Sequence, residues 1–396
     1  MAPQRDGVGT NAGGALLSPL GRPVVAFGVE TRVGLTRRAA TDTDMTWRVV
    51  GAEFDQMHIN TNLEWVVDHP NTELVGVCDE SPASSTGSVS QVTDELGLDP
   101  DRVYDDLDRC LDELRPDVVI GCPNNAAHAA FVERIAPRDV AIAIEKPLAV
   151  TLADADRILD AVAASDSRLF VSWPVLWDPV KHTVKRLVDD GVVGTVREVQ
   201  YYGGNAGAPP DDSWFYDPDA GGGSLLDYLC YGATFATWFR DGELPTAVTA
   251  ETFTPPDADV DVQSATICRY GTGLSTFQTS WRMITNPWET QPQPAKGYEI
   301  VGTEGSITTR ERGVPVRVQT RDRPEGYAVD PDPLAPRFEN LVTYLVDRLD
   351  TGSAPEGPAD PAFCREAHRI VETARRSARS GRREPLADGD GRATDR

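Results

Sequence analysis

An apolar stretch runs directly into a charged pair at residues 141–149, which read AIAIEKPLA. Its small and β-branched residues predict a buried strand, and Glu145 and Lys146 stand where that strand ends. Ligands of open α/β sheets bind beyond the carboxyl ends of the strands, so a cation at this point is placed for chemistry. An ammonium group can donate a proton and its pKa can fall on burial, whereas a guanidinium stays charged. The stretch therefore predicts acid–base chemistry at Lys146; the alternative is a surface Glu–Lys pair that caps the strand.

Lysine is scarce in this chain. Four lysines stand against 34 arginines in 396 residues, and the net charge is −24. This acidic balance repels nucleic-acid phosphates and anionic membrane surfaces, so we expect neither as a partner. It also matches proteins that work in concentrated salt, where screening relieves self-repulsion, so a salt-adapted source is predicted. No apolar run approaches the roughly 20 residues that a membrane-spanning helix needs.

The residues that commonly hold metals or form disulfides are dispersed. The six cysteines include no CxxC pair, and the five histidines form no cluster with the spacing of metal ligands. We therefore predict no metal site. Scattered cysteines also favour a reducing compartment, so a cytoplasmic location is expected.

Strand and helix patterns alternate from Trp47 onward. A first strand turns at Gly51, a helix follows, and a second strand ends at Asp79 and Glu80. A βαβ unit of about 30 residues that ends in an acid is the dinucleotide-binding frame, in which the carboxylate accepts hydrogen bonds from the adenosine ribose. Two adjacent acids would repel a 2′-phosphate. The pattern thus predicts a Rossmann domain, a doubly wound parallel sheet, that binds NAD rather than NADP.

The turn after the first strand departs from the glycine fingerprint G-x-G-x-x-G. With Gly51 as the first glycine, Glu53 and Gln56 stand where the second and third belong. A carboxylate at residue 53 adds like-charge repulsion toward a pyrophosphate unless it turns away. The turn is therefore either reshaped by residues 54–58, with Phe54 as a contact, or it holds the cofactor weakly. A doubly wound domain that binds no nucleotide is the alternative.

The fourth strand ends in a polar segment at residues 122–125, Cys-Pro-Asn-Asn, and a helix follows with His128 near its first turn. Asparagines between a strand end and a helix N-terminus are placed to hydrogen-bond a ligand. We expect cofactor contacts from the first three of these residues and substrate contacts from Asn125 and His128. A solvated helix residue is the alternative for His128. The predicted cofactor set is Gly51, Phe54, Asp79, Glu80, Cys122, Pro123, Asn124, Glu145 and Lys146.

Motifs in both halves resemble the glucose–fructose oxidoreductase, inositol dehydrogenase and rhizopine catabolism (Gfo/Idh/MocA) family, over about residues 46–386. The shared features, in chain order, are Gly51, Asp79, CPNNAAH at 122–128, EKPLAVTLADAD at 145–156 and GGGSLLDYLCY at 221–231. The resemblance implies NAD(P)-dependent hydride transfer to or from a sugar, inositol or related polyol. It also implies that Lys146 lies beside the nicotinamide and the reacting carbon.

Many members carry histidine four residues after the aspartate of the glycine-rich motif, but this chain has Tyr231 after Asp227. The resemblance implies that this tyrosine is the acid–base residue, as in some members. A helix from Ser224 to Phe239 places Asp227 and Tyr231 on one face, at positions i and i+4. The alternative is a half-buried amphipathic tyrosine. The predicted catalytic residues are Lys146, Tyr231 and Asp227, with Trp173 and Tyr228 as further substrate contacts.

Consecutive strands without intervening helices in the second half predict an α+β domain with a large, mostly antiparallel open sheet. By the resemblance, this sheet pairs subunits into a dimer or tetramer. Residues 1–44 lack periodicity and Met45 opens the first strand, so we expect translation to start at Met45. The predicted divisions are a disordered extension at 1–44, a dinucleotide-binding domain at 45–165, a substrate and oligomerisation domain at 166–387 and a disordered tail at 388–396.

Three functions follow from these patterns. The leading one is an NAD(P)-dependent oxidoreductase acting on a sugar or polyol. The second keeps the cofactor but uses transient oxidation for glycoside cleavage or elimination. The third is a non-catalytic cofactor-binding sensor, and the acidic residue at position 53 is the feature that motivates it.

Overall fold

A computed structural model describes residues 46–82, 85–205, 213–283, 296–309 and 315–387. The predicted extension at 1–44, the proposed start at Met45 and the predicted tail at 388–396 lie outside these ranges. Within them the chain forms two sheets, one of six strands and one of nine.

The first sheet has the strand order β3-β2-β1-β4-β5-β6, and every pair is parallel. Its elements are β1 Trp47–Ala52, α1 His58–Asp68, β2 Thr72–Cys78, α2 Val89–Asp94, β3 Val103–Tyr104, α3 Leu107–Leu114, β4 Val118–Gly121, α4 His128–Ile135, β5 Ala141–Glu145, α5 Leu152–Ala163 and β6 Arg168–Ser172. The order reverses between β1 and β4, which creates the crevice where doubly wound sheets bind ligands. This confirms the predicted Rossmann topology, and the sheet continues to Ser172, beyond the predicted domain limit at 165.

Helix α1 packs closely on β1 because residue 51 is glycine. A Cβ atom at Gly51 would lie 2.7 Å from a methyl carbon of Leu63. Ile59 and Leu63 of α1 are fully buried, whereas Met57 and Val67, which the apolar pattern includes, are exposed. Met57 precedes the helix and Val67 lies on its solvent side, so α1 has a narrower apolar face than the sequence indicates.

The second sheet has the order β14-β13-β12-β11-β7-β10-β9-β8-β15. Its elements and the helices around it are α6 Pro179–Asp189, β7 Val196–Gly204, α7 Ser224–Phe239, β8 Ala247–Phe253, β9 Gln263–Arg269, β10 Leu274–Ser280, β11 Gly297–Gly302, β12 Gly305–Thr308, β13 Val316–Thr320, β14 Tyr327–Val329, α8 Leu341–Asp350, α9 Pro361–Ser380 and β15 Glu384–Pro385. Its pairs are antiparallel apart from β7 with β10, as the predicted mostly antiparallel sheet requires. The short strands β12 and β14 were not predicted, because they lack apolar alternation over a sufficient length.

The two faces of this sheet differ. Helix α7 packs against β7 and β10, and α9 packs against β8. On the opposite face, Phe253, Ile267 and Leu274 are exposed at 49%, 47% and 46%. No helix in the described ranges has the length and apolarity to cross a bilayer.

Candidate active site

The charged pair at the end of β5 lies at the carboxyl edge of the parallel sheet. Helix α7, which packs on the second sheet, approaches this edge. Lys146 is only 5% exposed, and its Nζ lies 2.7 Å from Oδ1 of Asp227 in the first turn of α7. The other carboxylate oxygen of Asp227 accepts a hydrogen bond of 3.1 Å from the indole N–H of Trp281, the residue after β10. Three elements that are far apart in sequence thus build one buried polar cluster.

The electrostatics of this cluster determine the charge of Lys146. Burial disfavours the ammonium form, but the surrounding negative groups, led by the carboxylate of Asp227 and including Glu145, together outweigh that penalty and raise the pKa of Lys146 above its ordinary value. Lys146 is therefore a fixed cation at neutral pH rather than a group that gives up its proton. A buried cation of this kind can stabilise negative charge that develops beside it.

Tyr231 lies one turn beyond Asp227, and its ring faces Lys146. The Nζ atom is 4.9 Å from the ring centroid, the distance of a cation–π contact. Trp173 meets the same ring edge-on at 5.4 Å, and Tyr228 stacks against it at 5.9 Å. The structure thus brings together five predicted residues, three proposed as catalytic and two as substrate contacts.

Helix α7 is positioned by the glycines before it and by an acidic cap from outside the helix. Gly223 has a φ of 108°, a left-handed conformation that favours glycine. The side chain of Asp261 accepts hydrogen bonds of 2.8 Å from the Ser224 hydroxyl and from the Leu225 N–H. These bonds satisfy helix N-terminal donors and fix the angle at which Asp227 enters the cluster.

Glu145 is buried without a hydrogen-bond partner in the described part of the chain. It is 1% exposed, and both of its carboxylate oxygens are unsatisfied. Nδ1 of His58, the first residue of α1, lies 3.4 Å from Oε1 of Glu145, and this nitrogen also has no hydrogen-bond partner in the described ranges. Buried polar groups are nearly always satisfied, so these atoms indicate a ligand that brings hydrogen-bonding groups.

The two acids that follow β2 have different surroundings. Asp79 accepts hydrogen bonds from the Ser81 N–H and the Ser85 hydroxyl, and its oxygens retain further lone pairs. Glu80 accepts from Arg134 at 2.7 Å and from the Leu107 N–H, and the bonds from Arg134 lower its pKa. Asp79 therefore stays suited to ribose hydroxyls, while Glu80 is held in an ion pair.

Three other predicted cofactor residues, Phe54, Cys122 and Asn124, have side chains that pack or hydrogen-bond within the protein. Phe54 and Cys122 are buried in the core at 0% and 1% exposure. Asn124 donates hydrogen bonds from its backbone N–H and its amide group to one oxygen of Asp55, at 2.8 and 3.1 Å. The indole N–H of Trp214 also donates to the carbonyl of Asp55, at 2.8 Å. These bonds fix the turn after β1 against β4 and the second domain.

Asn125 and His128 join structural elements in this arrangement. The amide of Asn125 donates to the carbonyl of Gly221 at 2.9 Å, which links the loop after β4 to the glycine-rich segment. His128 is fully buried, and its ring nitrogens lie 3.3 and 3.2 Å from the carbonyls of Leu148 and Pro123. Burial lowers the pKa of His128. A neutral histidine that hydrogen-bonds two backbone carbonyls is therefore a better description of His128 than a substrate contact.

Three residues of the site were not predicted from the sequence: His58, Trp281 and Asp55. His58 follows the turn in which two of the usual glycines are replaced, and no local pattern marks it as a functional residue. Trp281 is one of eight tryptophans, and only the fold reveals that it contacts Asp227. In the described ranges, no group of three or more His, Cys, Asp or Glu side chains is arranged to hold a metal ion.

Comparison with protein families matches both halves of the chain. An "Oxidoreductase family, NAD-binding Rossmann fold" model matches residues 45–173, and a "GFO/IDH/MocA C-terminal domain" model matches residues 182–308. Together these matches span well over half of the chain. The chain belongs to the GFO/IDH/MocA oxidoreductase family.

Similar proteins cover most of the chain at modest identity. Inositol 2-dehydrogenase of Rhizobium meliloti is 26% identical over 305 residues, which are 74% of this chain and 86% of that protein. D-xylose 1-dehydrogenase (NADP(+)) 2 of Haloferax volcanii is 25% identical over 273 residues, 67% of this chain and 82% of that protein. The crystal structure of aldose-aldose oxidoreductase from Caulobacter crescentus, complexed with glycerol, has a TM-score of 0.72 at 20% identity and covers 86% of this chain and all of that chain. This structural likeness concerns the fold.

Proposed function

We propose that this oxidoreductase transfers a hydride between a nicotinamide dinucleotide and a CH–OH carbon of a sugar, inositol or related polyol. The observation that carries the proposal is the buried Lys146–Asp227 pair, 2.7 Å long, beside the Tyr231 ring at the carboxyl edge of the Rossmann sheet. An oxidoreductase of this kind needs a positive charge and a proton carrier at the substrate oxygen, and this cluster contains both.

The residues around the sheet edge fit a dinucleotide. Asp79 stands at the end of β2, where ribose hydroxyls are bound in this topology. The unsatisfied carboxylate of Glu145 suits donors such as a carboxamide or a ribose hydroxyl. When bound, the dinucleotide would supply the group that accepts or gives the hydride. Glu53 is the departure from this fit, because it stands where the phosphate turn usually has glycine.

In the proposed mechanism, the ammonium of Lys146 stabilises the alkoxide that develops at the substrate oxygen. Asp227 holds that ammonium in place, and Trp281 orients the carboxylate by donating to its second oxygen. Tyr231 takes the hydroxyl proton during oxidation and returns it during reduction, and the nearby cation lowers the energy of its phenolate form. Tyr228 and Trp173 restrict water at this ring.

We favour NAD over NADP, because Asp79 and Glu80 would repel a 2′-phosphate. The Arg134–Glu80 ion pair weakens this repulsion, and two similar xylose dehydrogenases are named as NADP-dependent. Binding of NAD and NADP to the purified protein, measured by calorimetry, separates the two. Tighter binding of NADP would overturn the preference.

The aromatic, hydroxyl-bearing surroundings of Lys146 and the names of the similar dehydrogenases support the proposed substrate class. The test is to follow reduced nicotinamide absorbance with a panel of aldoses, inositols and linear polyols in high salt. We expect turnover with one of these classes. Binding of cofactor without turnover on any of them would overturn the proposed substrate class.

The setting of the enzyme forms part of the same proposal. A net charge of −24 with four lysines supports work in concentrated salt, and six buried free thiols support a cytoplasmic location. The exposed Phe253, Ile267 and Leu274 on one sheet face support a homo-oligomer through that face. Sedimentation of the purified protein as a monomer would overturn the last point.

A further inference from the structure

Residue 53 keeps the backbone shape of a glycine although it is a glutamate. Its φ is 55°, in the left-handed region that glycine usually occupies. Its N–H donates to the carbonyl of Cys78 at 2.9 Å, and its carbonyl accepts from the N–H of Cys122 at 3.2 Å. Residue 53 thus joins the ends of β2 and β4 on either side of β1. Residue 53 therefore keeps a glycine-like backbone, and its side chain places a carboxyl group in this turn.

The surroundings of the Glu53 carboxyl are acidic. The other groups that act on it are Asp55 on the same turn, Asp79 and Glu80 after β2, and Arg134 on α4. The thiol of Cys78 on β2 also interacts with it. Arg134 is engaged by Glu80 and Asp108, so it offsets this charge only in part.

Glu53 differs from its acidic neighbours in its hydrogen bonds. Asp55 accepts from Asn124, Asp79 accepts from Ser81 and Ser85, and Glu80 accepts from Arg134. In the described ranges, no donor bonds the carboxyl of Glu53. Burial and the nearby carboxylates raise its pKa to about 7. The neutral form is therefore accessible close to physiological pH.

We propose that Glu53 controls cofactor binding through its protonation, so that the dinucleotide binds with uptake of one proton at this residue. This inference rests on the proposed function. The pyrophosphate of a dinucleotide lies at this turn in the Rossmann topology and carries negative charge. An ionised Glu53 would repel it, whereas a protonated carboxyl has an O–H that can donate to a phosphate oxygen. One proton thus converts the most unfavourable group of the turn into a ligand.

The direction of the effect follows from linkage. A bound pyrophosphate raises the pKa of Glu53 further, so the complex holds a proton that the free protein has lost above about pH 7. Affinity therefore falls as the pH rises through this range, by up to about tenfold per pH unit. Below about pH 6, Glu53 is protonated in both states and the affinity levels off.

The test is calorimetric titration of the full-length protein with NAD⁺ at fixed high salt, at several pH values from 6 to 8.5. Two buffers of different ionisation enthalpy are used at each pH, so that proton uptake is measured directly. We expect uptake to approach one proton per protein at the alkaline end. In Glu53→Gln the affinity should be nearly independent of pH, without this proton uptake.

Two further variants complete the design. Glu53→Gly restores the usual glycine and relieves the left-handed backbone, so it should bind NAD⁺ more tightly than the native protein above pH 7. Glu95→Gln, at an exposed position, is the matched control and should keep the native pH dependence. If NAD⁺ binds the native protein with an affinity that does not depend on pH, or if Glu53→Gln takes up a proton as the native protein does, this inference is overturned but the proposed function is not. No NAD⁺ or NADP⁺ binding at any pH would overturn the proposed function and this inference with it.

Discussion

The two ends of the candidate site, the Lys146–Asp227 cluster and the turn at Glu53, differ in how their charged groups are paired. At the reaction end, Lys146 is paired with Asp227, and Asp227 has a second donor in Trp281. At the phosphate turn, Glu53 lies among carboxylates with no hydrogen-bond donor of its own in the described ranges. Paired charges in a buried cluster keep their protonation state across a wide pH range, whereas an unpaired carboxyl is sensitive to protons and ligands. The charge of the proposed reaction end is therefore fixed, whereas the charge of the proposed phosphate-binding end responds to pH; they are called the fixed end and the responsive end below.

Replacing the cation of the fixed end should have the largest effect. In Lys146→Met the substrate oxygen loses its electrostatic stabilisation, and we expect kcat to fall by about 1,000-fold. The affinity for NAD⁺, measured by calorimetry, should change much less, because the responsive end is untouched. Equal losses in both quantities would contradict the division of the site into two ends.

The controls for this variant address charge and folding. Loss of Lys146 leaves Asp227 buried without its cation, which costs about 3–5 kcal/mol of stability. A double variant, Lys146→Met with Asp227→Asn, removes that charge and should recover the melting temperature but not the turnover. Lys185→Met removes a half-buried lysine of α6 that pairs with Asp189, and it should retain native activity.

Removing one hydroxyl tests the proton carrier. Tyr231→Phe keeps the ring beside Lys146 but cannot take a proton, so we expect kcat to fall by about 100-fold. The stability change should be limited to the hydrogen bonding of one hydroxyl, about 1 kcal/mol. Tyr327→Phe in β14 is the matched control. Native turnover in Tyr231→Phe would place proton transfer on another group.

Trp281→Phe removes the indole N–H that donates to the second carboxylate oxygen of Asp227, so it tests whether this hydrogen bond positions the carboxylate. A buried acceptor that loses its donor costs about 1–3 kcal/mol, which chemical denaturation should detect as a lower midpoint. Because Asp227 then holds Lys146 less firmly, kcat should also fall by about tenfold while KM changes little. Trp177→Phe is the control, since the indole nitrogen of Trp177 has no hydrogen-bond partner in the described ranges. Similar loss of kcat in both variants would indicate packing rather than positioning.

The same two ends differ in how far sequence reasoning predicts them. The bounds of α7 agree with the predicted helix from Ser224 to Phe239, because apolar periodicity and the glycines before α7 are local signals. Local spacing on α7 also predicted the shared face of Asp227 and Tyr231. The raised pKa of Lys146 was not predicted, because it depends on a carboxylate 81 positions away in the chain. Contacts of this kind form only in the fold, so no local pattern reports them.

At the phosphate turn the local feature could be read from the sequence, but its consequence could not. The missing glycine at residue 53 was visible in the sequence, and the expected alternatives were a reshaped turn or weak binding. The left-handed φ of 55° at Glu53 does not favour a reshaped turn, because residue 53 keeps a glycine-like backbone with a glutamate side chain. The strength of binding is a separate question, which the pH titration of NAD⁺ binding tests. Its effect depends on Asp79, Glu80 and Arg134, which the parallel sheet and α4 bring to the same edge.

The smallest expected effect isolates Glu53 without any cofactor. Its pKa is about 7 in the folded protein against 4.5 in a model compound, so between these values the folded state binds more protons than the unfolded state. Stability is therefore lost as the pH rises through this window, and the loss is complete above about pH 7. Glu53→Gln cannot ionise, so it should match the native protein at about pH 4.5 and exceed it at pH 8. Because the carboxyl is partly exposed, screening reduces the gain to about 1 kcal/mol, or about 2 °C in melting temperature. Glu95→Gln should show no such difference, and a gain in Glu53→Gln that is equal at both pH values would mean that relief of packing, not of charge, is responsible.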